Sequence, residues 1–253
     1  MASILIVGFG NIGRHIAMEF ESIGADIYDP NIDEFSAIPS NKLYDFAFIC
    51  APTDALPDGS CDTSIVEKCI RQIDADIFVI KSTIPPGTTE ALSKSVGKKI
   101  VFSPETYGVT QHCEKSPDFL ILGGNKAECD AVANLYFKVK NGSFKIHFTD
   151  STTAELSKYM LNTFLAMKVT FCNEFADIAT QLGLSYSELR ELFVADSRVG
   201  KSHTIVYPEQ PYYNSHCFNK DIPAILRYSE TIGVSMPTIW TMNDINTARK
   251  AKE

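Results

Sequence analysis

Directly behind the apolar run Ile4-Leu5-Ile6-Val7 the chain reads Gly8-Phe9-Gly10-Asn11-Ile12-Gly13. Three glycines at this spacing, between a strand and an amphipathic stretch, leave few folds open. The first permits a tight turn, the second lets backbone approach a bound group, and the third lets helix and strand pack closely. The helix that follows points its unpaired N–H groups at the turn, which suits an anion of the pyrophosphate type. Asp26-Ile27-Tyr28 reads as the next strand, and Asp29 ends it about 20 residues on, where a carboxylate meets the ribose hydroxyls of a dinucleotide. Asp29 would repel a 2′-phosphate, so the expected cofactor is NAD rather than NADP. The plainer reading of Asp29 is a turn residue ahead of Pro30. Gly8, Gly10, Asn11, Ile12, Gly13 and Asp29 are the expected cofactor-binding residues of this segment.

The alternation of β-branched runs and amphipathic stretches continues. A helix is expected over Asn11 to Ile23, a third strand over Phe46 to Cys50, and a helix around Thr63 to Ile73 leading into the strand Ile77 to Ile80. A helix near Thr88 to Ser95 precedes Lys99 to Phe102; Phe119 to Leu122, a helix at Ala127 to Phe137, and Lys145 to Phe148 complete the set. This order predicts an α/β Rossmann-type fold, a doubly wound parallel sheet covered on both faces. After Asp150 the texture changes. Thr153 to Leu182 keeps helical periodicity for roughly thirty residues without Pro or Gly. Further helices are expected at Tyr186 to Phe193, Ile222 to Thr231 and Trp240 to Lys250. The reading is an NAD-binding domain at 1–150 and an all-helical substrate and dimerisation domain with one long central helix at 151–253. A helix of that length needs a partner for its second apolar face, so a homodimer is expected.

Composition removes several classes. The net charge is −8 and no Lys/Arg cluster is present, which argues against binding nucleic acid through its phosphates. Ser3 to Gly10 is too short for a signal peptide, and no apolar run approaches the roughly 18 residues of a membrane span. Seven cysteines, an odd number with no CxxC pair, point to a reduced, cytoplasmic protein with a thiol available for chemistry. The five histidines are scattered and no metal is expected.

Segments spread over nearly the whole chain resemble the UDP-glucose/GDP-mannose dehydrogenase family. Cys50-Ala51-Pro52-Thr53 is similar to its strand-end VPT motif, Ser82-Thr83-Ile84-Pro85-Pro86-Gly87-Thr88-Thr89 to its STVPPGTT segment, and Phe102-Ser103-Pro104-Glu105 to its SPE motif. Ala154-Glu155-Leu156-Ser157-Lys158-Tyr159-Met160-Leu161-Asn162 resembles the start of its long central helix, and Asn173-Glu174 its later NE pair. Asp196-Ser197-Arg198-Val199-Gly200 resembles its DxRIG motif, and His216-Cys217-Phe218-Asn219-Lys220-Asp221 its xCFPKD motif. The matches come in the family's order.

The resemblance implies a four-electron oxidation, in which a sugar-nucleotide C6 alcohol loses two hydrides in turn to two NAD⁺ and ends as a carboxylate. It implies that Cys217 is the nucleophile, trapping the aldehyde as a thiohemiacetal from which a thioester forms. Lys158 and Asn162, four residues apart on one helix face, would stabilise the oxyanion at C6 and touch the substrate. Thr83 and Asp221 match residues that hold a catalytic water, and Glu105 a carboxylate for proton transfer and thioester hydrolysis, in contact with substrate. Pro52 and Thr53, with Thr83, are implied cofactor contacts. Arg198 matches an arginine that reaches the substrate across a dimer interface. Plainer readings stand beside each: a buried structural Cys217, a solvated Lys158, an ST-turn at Thr83, a helix N-terminal charge at Asp221, a turn residue at Glu105, a surface Arg198.

The chain departs from the family at several points. It ends at Glu253 without the third, nucleotide-binding domain, so a shortened form is expected. The GxGYGG loop reads Gln210-Pro211-Tyr212-Tyr213-Asn214-Ser215, replacing glycines that admit the sugar and its phosphates with bulky or polar residues. Val109 stands where a second glutamate is usual, and Asn219 where a proline is. The catalytic set is kept while the substrate-holding set is rebuilt. A smaller or differently held sugar, a second protein that supplies surface, and a relative that binds NAD without turnover all fit. A single-step β-hydroxyacid-type dehydrogenase using Lys158 as acid/base is the rival chemistry, since it shares the Lys-xxx-Asn pair.

Overall fold

The computed structural model of the chain describes residues 2–38, 42–105, 119–140 and 144–252. They fall into two compact units, one built from residues 2–54, 61–105 and 119–158, the other from 55–60 and 159–252.

The first unit is a seven-stranded sheet. In chain order its strands are β1 (Ile4–Val7), β2 (Asp26–Tyr28), β3 (Tyr44–Ile49), β4 (Ala75–Ile80), β5 (Lys99–Phe102), β6 (Phe119–Gly123) and β7 (Lys145–Thr149). They lie side by side as β2-β1-β3-β4-β5-β6-β7. Helices α1 (Asn11–Glu19), α2 (Ser64–Gln72), α3 (Thr88–Val96) and α4 (Lys126–Val139) connect them. Side chains alternate faces along a strand, and here both faces are buried. Ile4 and Ile6 of β1 and Phe46 and Phe48 of β3 join Ile16 of α1 and Val132 and Tyr136 of α4. Leu5, Val7, Ala47 and Ile49 turn the other way to meet Val66 and Ile70 of α2 and Leu92 of α3. The order reverses between β1 and β3, and the crevice beyond their carboxyl ends is where such sheets bind ligands.

The sheet is the expected Rossmann-type parallel sheet with one antiparallel pair, β5 and β6, in which Phe102 lies opposite Gly123. A parallel return needs a crossover, usually a helix. No amphipathic helix is expected in the sequence between β5 and β6, and the strand direction differs between the two. From β6 through α4 to β7 the pairing is parallel again.

The second unit is helical, as expected. Helix α5 (Ser151–Gln181) gives its first two turns to the first unit and the rest to the second. It is followed by α6 (Tyr186–Phe193), α7 (His216–Thr231) and α8 (Pro237–Lys250). Ala166, Tyr213, Phe218, Ile222, Leu226, Ile239 and Met242 form its core. Helix α7 begins six residues before its expected start at Ile222. Ser215 caps it by accepting from the Phe218 N–H at 3.2 Å. Pro223, which ordinarily argues against a helix interior because it lacks an N–H, sits within it. Among the described residues no helix is long and apolar enough to cross a membrane.

Candidate functional site

In the first unit, the turn after β1 is shaped by what surrounds each glycine. Gly8 adopts φ +90° and donates its N–H to Tyr28 O at 2.8 Å; a Cβ here would lie 2.7 Å from Cys50 O. Gly13, inside α1, passes so close to Gly8 that a Cβ would stand 1.9 Å from Gly8 O. Gly10 caps α1, and a Cβ there would meet nothing within 4 Å. Two glycines therefore serve the protein's own packing, and the third leaves open space beside the first N–H groups of the helix. Asn11 and Ile12 open that helix.

Asp29 sits in a turn, as its plainer reading has it, with its carboxylate beside the glycine segment. One carboxylate oxygen accepts from Phe9 N at 2.8 Å, and the other accepts from Asn31 N at 2.9 Å in a short Asx turn. These bonds fix the carboxylate beside the glycine turn with lone pairs still to offer. An open cradle at a helix N-terminus with an oriented acceptor beside it fits the pyrophosphate and ribose of NAD.

The strand ends carry the next group. Thr53 is buried and donates from Oγ1 to Thr83 O at 2.8 Å, while Ser82 Oγ donates to Ala51 O at 2.6 Å. Pro52 is exposed and Thr83 buried. Beyond β5, Glu105 is 5% exposed, and its main-chain oxygen accepts from Lys158 Nζ. Val109 and Cys113 lie outside the described residues.

Lys158 is placed by its neighbour Glu155. The Glu155 side chain, wholly buried, accepts from Gly87 N at 2.5 Å and Thr89 N at 2.8 Å, the first N–H groups of α3. Burial pushes its carboxyl above the usual range, against the pull of these donors. The sequence offered no sign of this role beyond a glutamate on the apolar side of a helix.

In the second unit, Asn162 on α5 donates from Nδ2 to Asp221 Oδ2 at 2.6 Å. The other carboxylate oxygen accepts from Lys220 Nζ at 2.6 Å. Asp221 is 1% exposed and Asn162 5%, so this network is held away from water. Both Asp221 oxygens thus take protein donors, which makes it an orienter of Asn162 and Lys220. Cys217 lies one turn earlier on α7, in the second position after the Ser215 cap, and is exposed. The plainer reading of a buried structural cysteine does not hold for it.

The altered loop does not project bulk into open space. Tyr212 and Tyr213 are 5% and 4% exposed. Tyr213 donates its N–H to Asn246 Oδ1 at 2.8 Å, accepts from Asn246 Nδ2 at 3.1 Å, and packs edge-on against Phe218. Asn219 Nδ2 and Lys250 Nζ both donate to Asn214 Oδ1 at 2.9 Å. Arg198 is exposed, with its guanidinium folded onto Asp196.

Residues 36–140 match the UDP-glucose/GDP-mannose dehydrogenase family, NAD binding domain, and residues 152–248 match the central domain of the same family. The chain is 29% identical over 226 residues to the UDP-glucose 6-dehydrogenase of Rickettsia prowazekii, an alignment covering 79% of this chain and 51% of that one. It is 28% identical over 261 residues to the UDP-N-acetyl-D-mannosamine dehydrogenase of Methanococcus maripaludis, covering 86% and 60% respectively. The solved structure of a UDP-glucose dehydrogenase from Pyrobaculum islandicum superposes with a TM-score of 0.79 at 25% identity, covering 98% of this chain and 68% of that one. The chain spans about half the length of the curated relatives it matches first.

Proposed function

Because the chain belongs to the UDP-glucose/GDP-mannose dehydrogenase family and NAD is its cofactor, we propose that it oxidises the C6 alcohol of a sugar nucleotide to a carboxylate in two NAD-dependent steps. The observation that carries this reading is the buried Asn162–Asp221–Lys220 network, with an exposed Cys217 one helical turn away. A single hydride transfer has no use for a nucleophile. A second transfer requires one, because the aldehyde must first be converted to an adduct that still carries hydrogen on carbon.

In this reading the alcohol gives up a hydride and a proton, and NAD⁺ supplies the hydride acceptor in both oxidations. The Cys217 thiolate adds to the aldehyde carbon, and Lys158 and Asn162 stabilise the resulting oxyanion. Loss of the second hydride leaves a thioester. Water then attacks its carbonyl carbon while Glu105 takes the water's proton; the C–S bond breaks, and Cys217 leaves as thiolate. Thr83 and Asp221 hold the water and the donors in register, and Arg198 serves the substrate of a partner subunit. Residues 1–150 bind NAD, and residues 151–253 hold substrate and dimerise.

A homodimer is supported by the surface of α5. Met160, Phe164, Phe171, Phe175, Ile178 and the adjoining Leu182 are 44–75% exposed and recur every three, four or seven residues. Such a stripe is the seam of a helix pair. The absence of paired cysteines among the described residues accords with a cytoplasmic setting.

The test is NADH formed per sugar nucleotide, with Cys217→Ser beside the wild type. Two NADH per substrate, with the variant stalling after one or none, is the expected result. One NADH from a small hydroxyacid, unaffected by Cys217→Ser, would replace the reading with a single-step dehydrogenase.

A further inference from the structure

Glu155 is wholly buried, and the proposed chemistry gives it no step. A buried carboxylate is costly unless donors compensate it. Its donors belong to the start of another helix. Gly87, the cap residue of α3, stands at φ +88° and has no side chain with which to accept from the first turn. The open N–H groups of a helix start need an acceptor, most often a Ser, Thr, Asp or Asn at the cap itself. Here the acceptors come from 68 and 66 positions away: Glu155 Oε2 takes the Gly87 N–H at 2.5 Å, and Oε1 takes the Thr89 N–H at 2.8 Å. The positive end of the α3 dipole favours the charged form of this acceptor.

The two segments joined in this way are each fixed elsewhere. Ala154, next to Glu155, is wholly buried against Gly123 at the end of β6, where a Cβ on the glycine would lie 2.5 Å from the Ala154 Cβ. That fit seats the first turn of α5 on the sheet. Three residues beyond Glu155, Lys158 Nζ donates to Glu105 O. On the other side, the turn from β4 to α3 is held at its start. Ser82 Oγ donates to Ala51 O at 2.6 Å, and the Thr83 main-chain oxygen accepts from Thr53 Oγ1 at 2.8 Å and from Cys61 Sγ at 3.7 Å. These bonds hold Thr83 by its backbone and leave its side-chain hydroxyl outside the fixing. Between Thr83 and Gly87 stand Ile84, wholly buried, and Pro85-Pro86, whose rings fix φ, so the link has little slack.

We propose that Glu155 is a positioning residue: its carboxylate caps α3 from α5 and thereby holds the Thr83 turn and Lys158 in one frame. The inference rests on the roles proposed for Thr83 and Lys158. Without the clasp each of them would keep the anchors of its own segment, but their separation would no longer be set. A displacement of about 1 Å at a reacting site can cost about a hundredfold in rate, so Glu155 need not touch substrate to matter.

The test replaces Glu155 with Gln, which keeps the size, removes the charge and turns one acceptor oxygen into a donor facing an N–H. Per mole of folded protein, sugar-nucleotide oxidation should fall about tenfold or more in kcat, with KM changed less than about twofold. In the Thr83→Ala background the same substitution should cost much less, because residues that act as a unit are not additive. A second arm needs no turnover. In protein carrying ¹⁵N-threonine, the Thr83 and Thr89 amides are assigned by their loss in Thr83→Ser and Thr89→Ser. Glu155→Gln is expected to move both resonances and to leave that of Thr247 on α8 in place. A Thr83 resonance that stays put in Glu155→Gln, or in the milder Glu155→Asp if the glutamine variant does not fold, overturns the inference. So does full kcat per folded molecule with only a lowered melting temperature. Absence of two-NADH turnover in the wild type overturns the proposed reaction instead, while the NMR arm still decides whether the clasp holds the Thr83 turn.

Discussion

The turn after β1 and the loop before α7 differ in what fills the space around them. In the turn, Gly8 and Gly13 are required by the protein itself, because any side chain would strike Cys50 O or Gly8 O. Among the described residues nothing lies within 4 Å of a Cβ at Gly10, so packing does not require a glycine there. In the loop, Tyr212 stands where the GxGYGG motif has a glycine and Tyr213 where the motif has its tyrosine, and both residues are buried. The turn leaves open space at Gly10, whereas the loop turns two tyrosines into the helical core.

The comparison is most exposed to failure at Tyr213. Replacing it with Ala should remove an aromatic anchor of the helical core and cost about 4 kcal/mol. Trp240 is the only tryptophan of the chain and lies in α8, so denaturant unfolding followed by its fluorescence reads this loss in the right unit. A change below about 1 kcal/mol would mean that the tyrosine is not core and that the loop has kept a ligand-facing role. A smaller effect is expected at Gly10. Gly10→Ala should leave the melting temperature unchanged yet weaken NAD about tenfold by calorimetry, roughly 1.4 kcal/mol. If NAD binds Gly10→Ala as tightly as wild type, the open space there has no bearing on the cofactor. The smallest effect belongs to the cap of α5, where Asp150 accepts from Thr153 N at 2.8 Å and Thr153 Oγ1 at 2.7 Å. These bonds hold its carboxyl below the usual range. Its stabilisation is therefore complete above the ordinary carboxylate range and disappears as pH falls through the lowered value. Asp150→Ala should cost about 1 kcal/mol at pH 7 and nothing once both forms are fully acidified.

What could be read in advance follows the same division. Strands β1, β2 and β5 appear at their expected residues, β1 and β5 because short buried apolar runs leave little choice of element. The direction of β6 could not be read, since a run of apolar residues has no polarity. The early start of α7 was hidden by Pro223, whose local preference is overridden by the Ser215 cap and by the burial of Phe218 and Ile222. At the site, single residues were legible and their partnerships were not. Asn162 meets Asp221 across 59 positions and Tyr213 meets Asn246 across 33, distances over which spacing carries no signal.

The clasp between Glu155 and the start of α3 has a consequence for how such a chain can change over time. Glu155 is fixed on Gly87 and Thr89, and three residues later Lys158 meets Glu105 O. Each helical residue turns the chain by about 100° and advances it about 1.5 Å. One residue gained or lost between positions 155 and 158 would swing the lysine round to another side of α5 while the clasp held the helix in place. Substitutions along this helix can accumulate one at a time. Insertions and deletions cannot, so the length of this segment should be far better preserved than its composition.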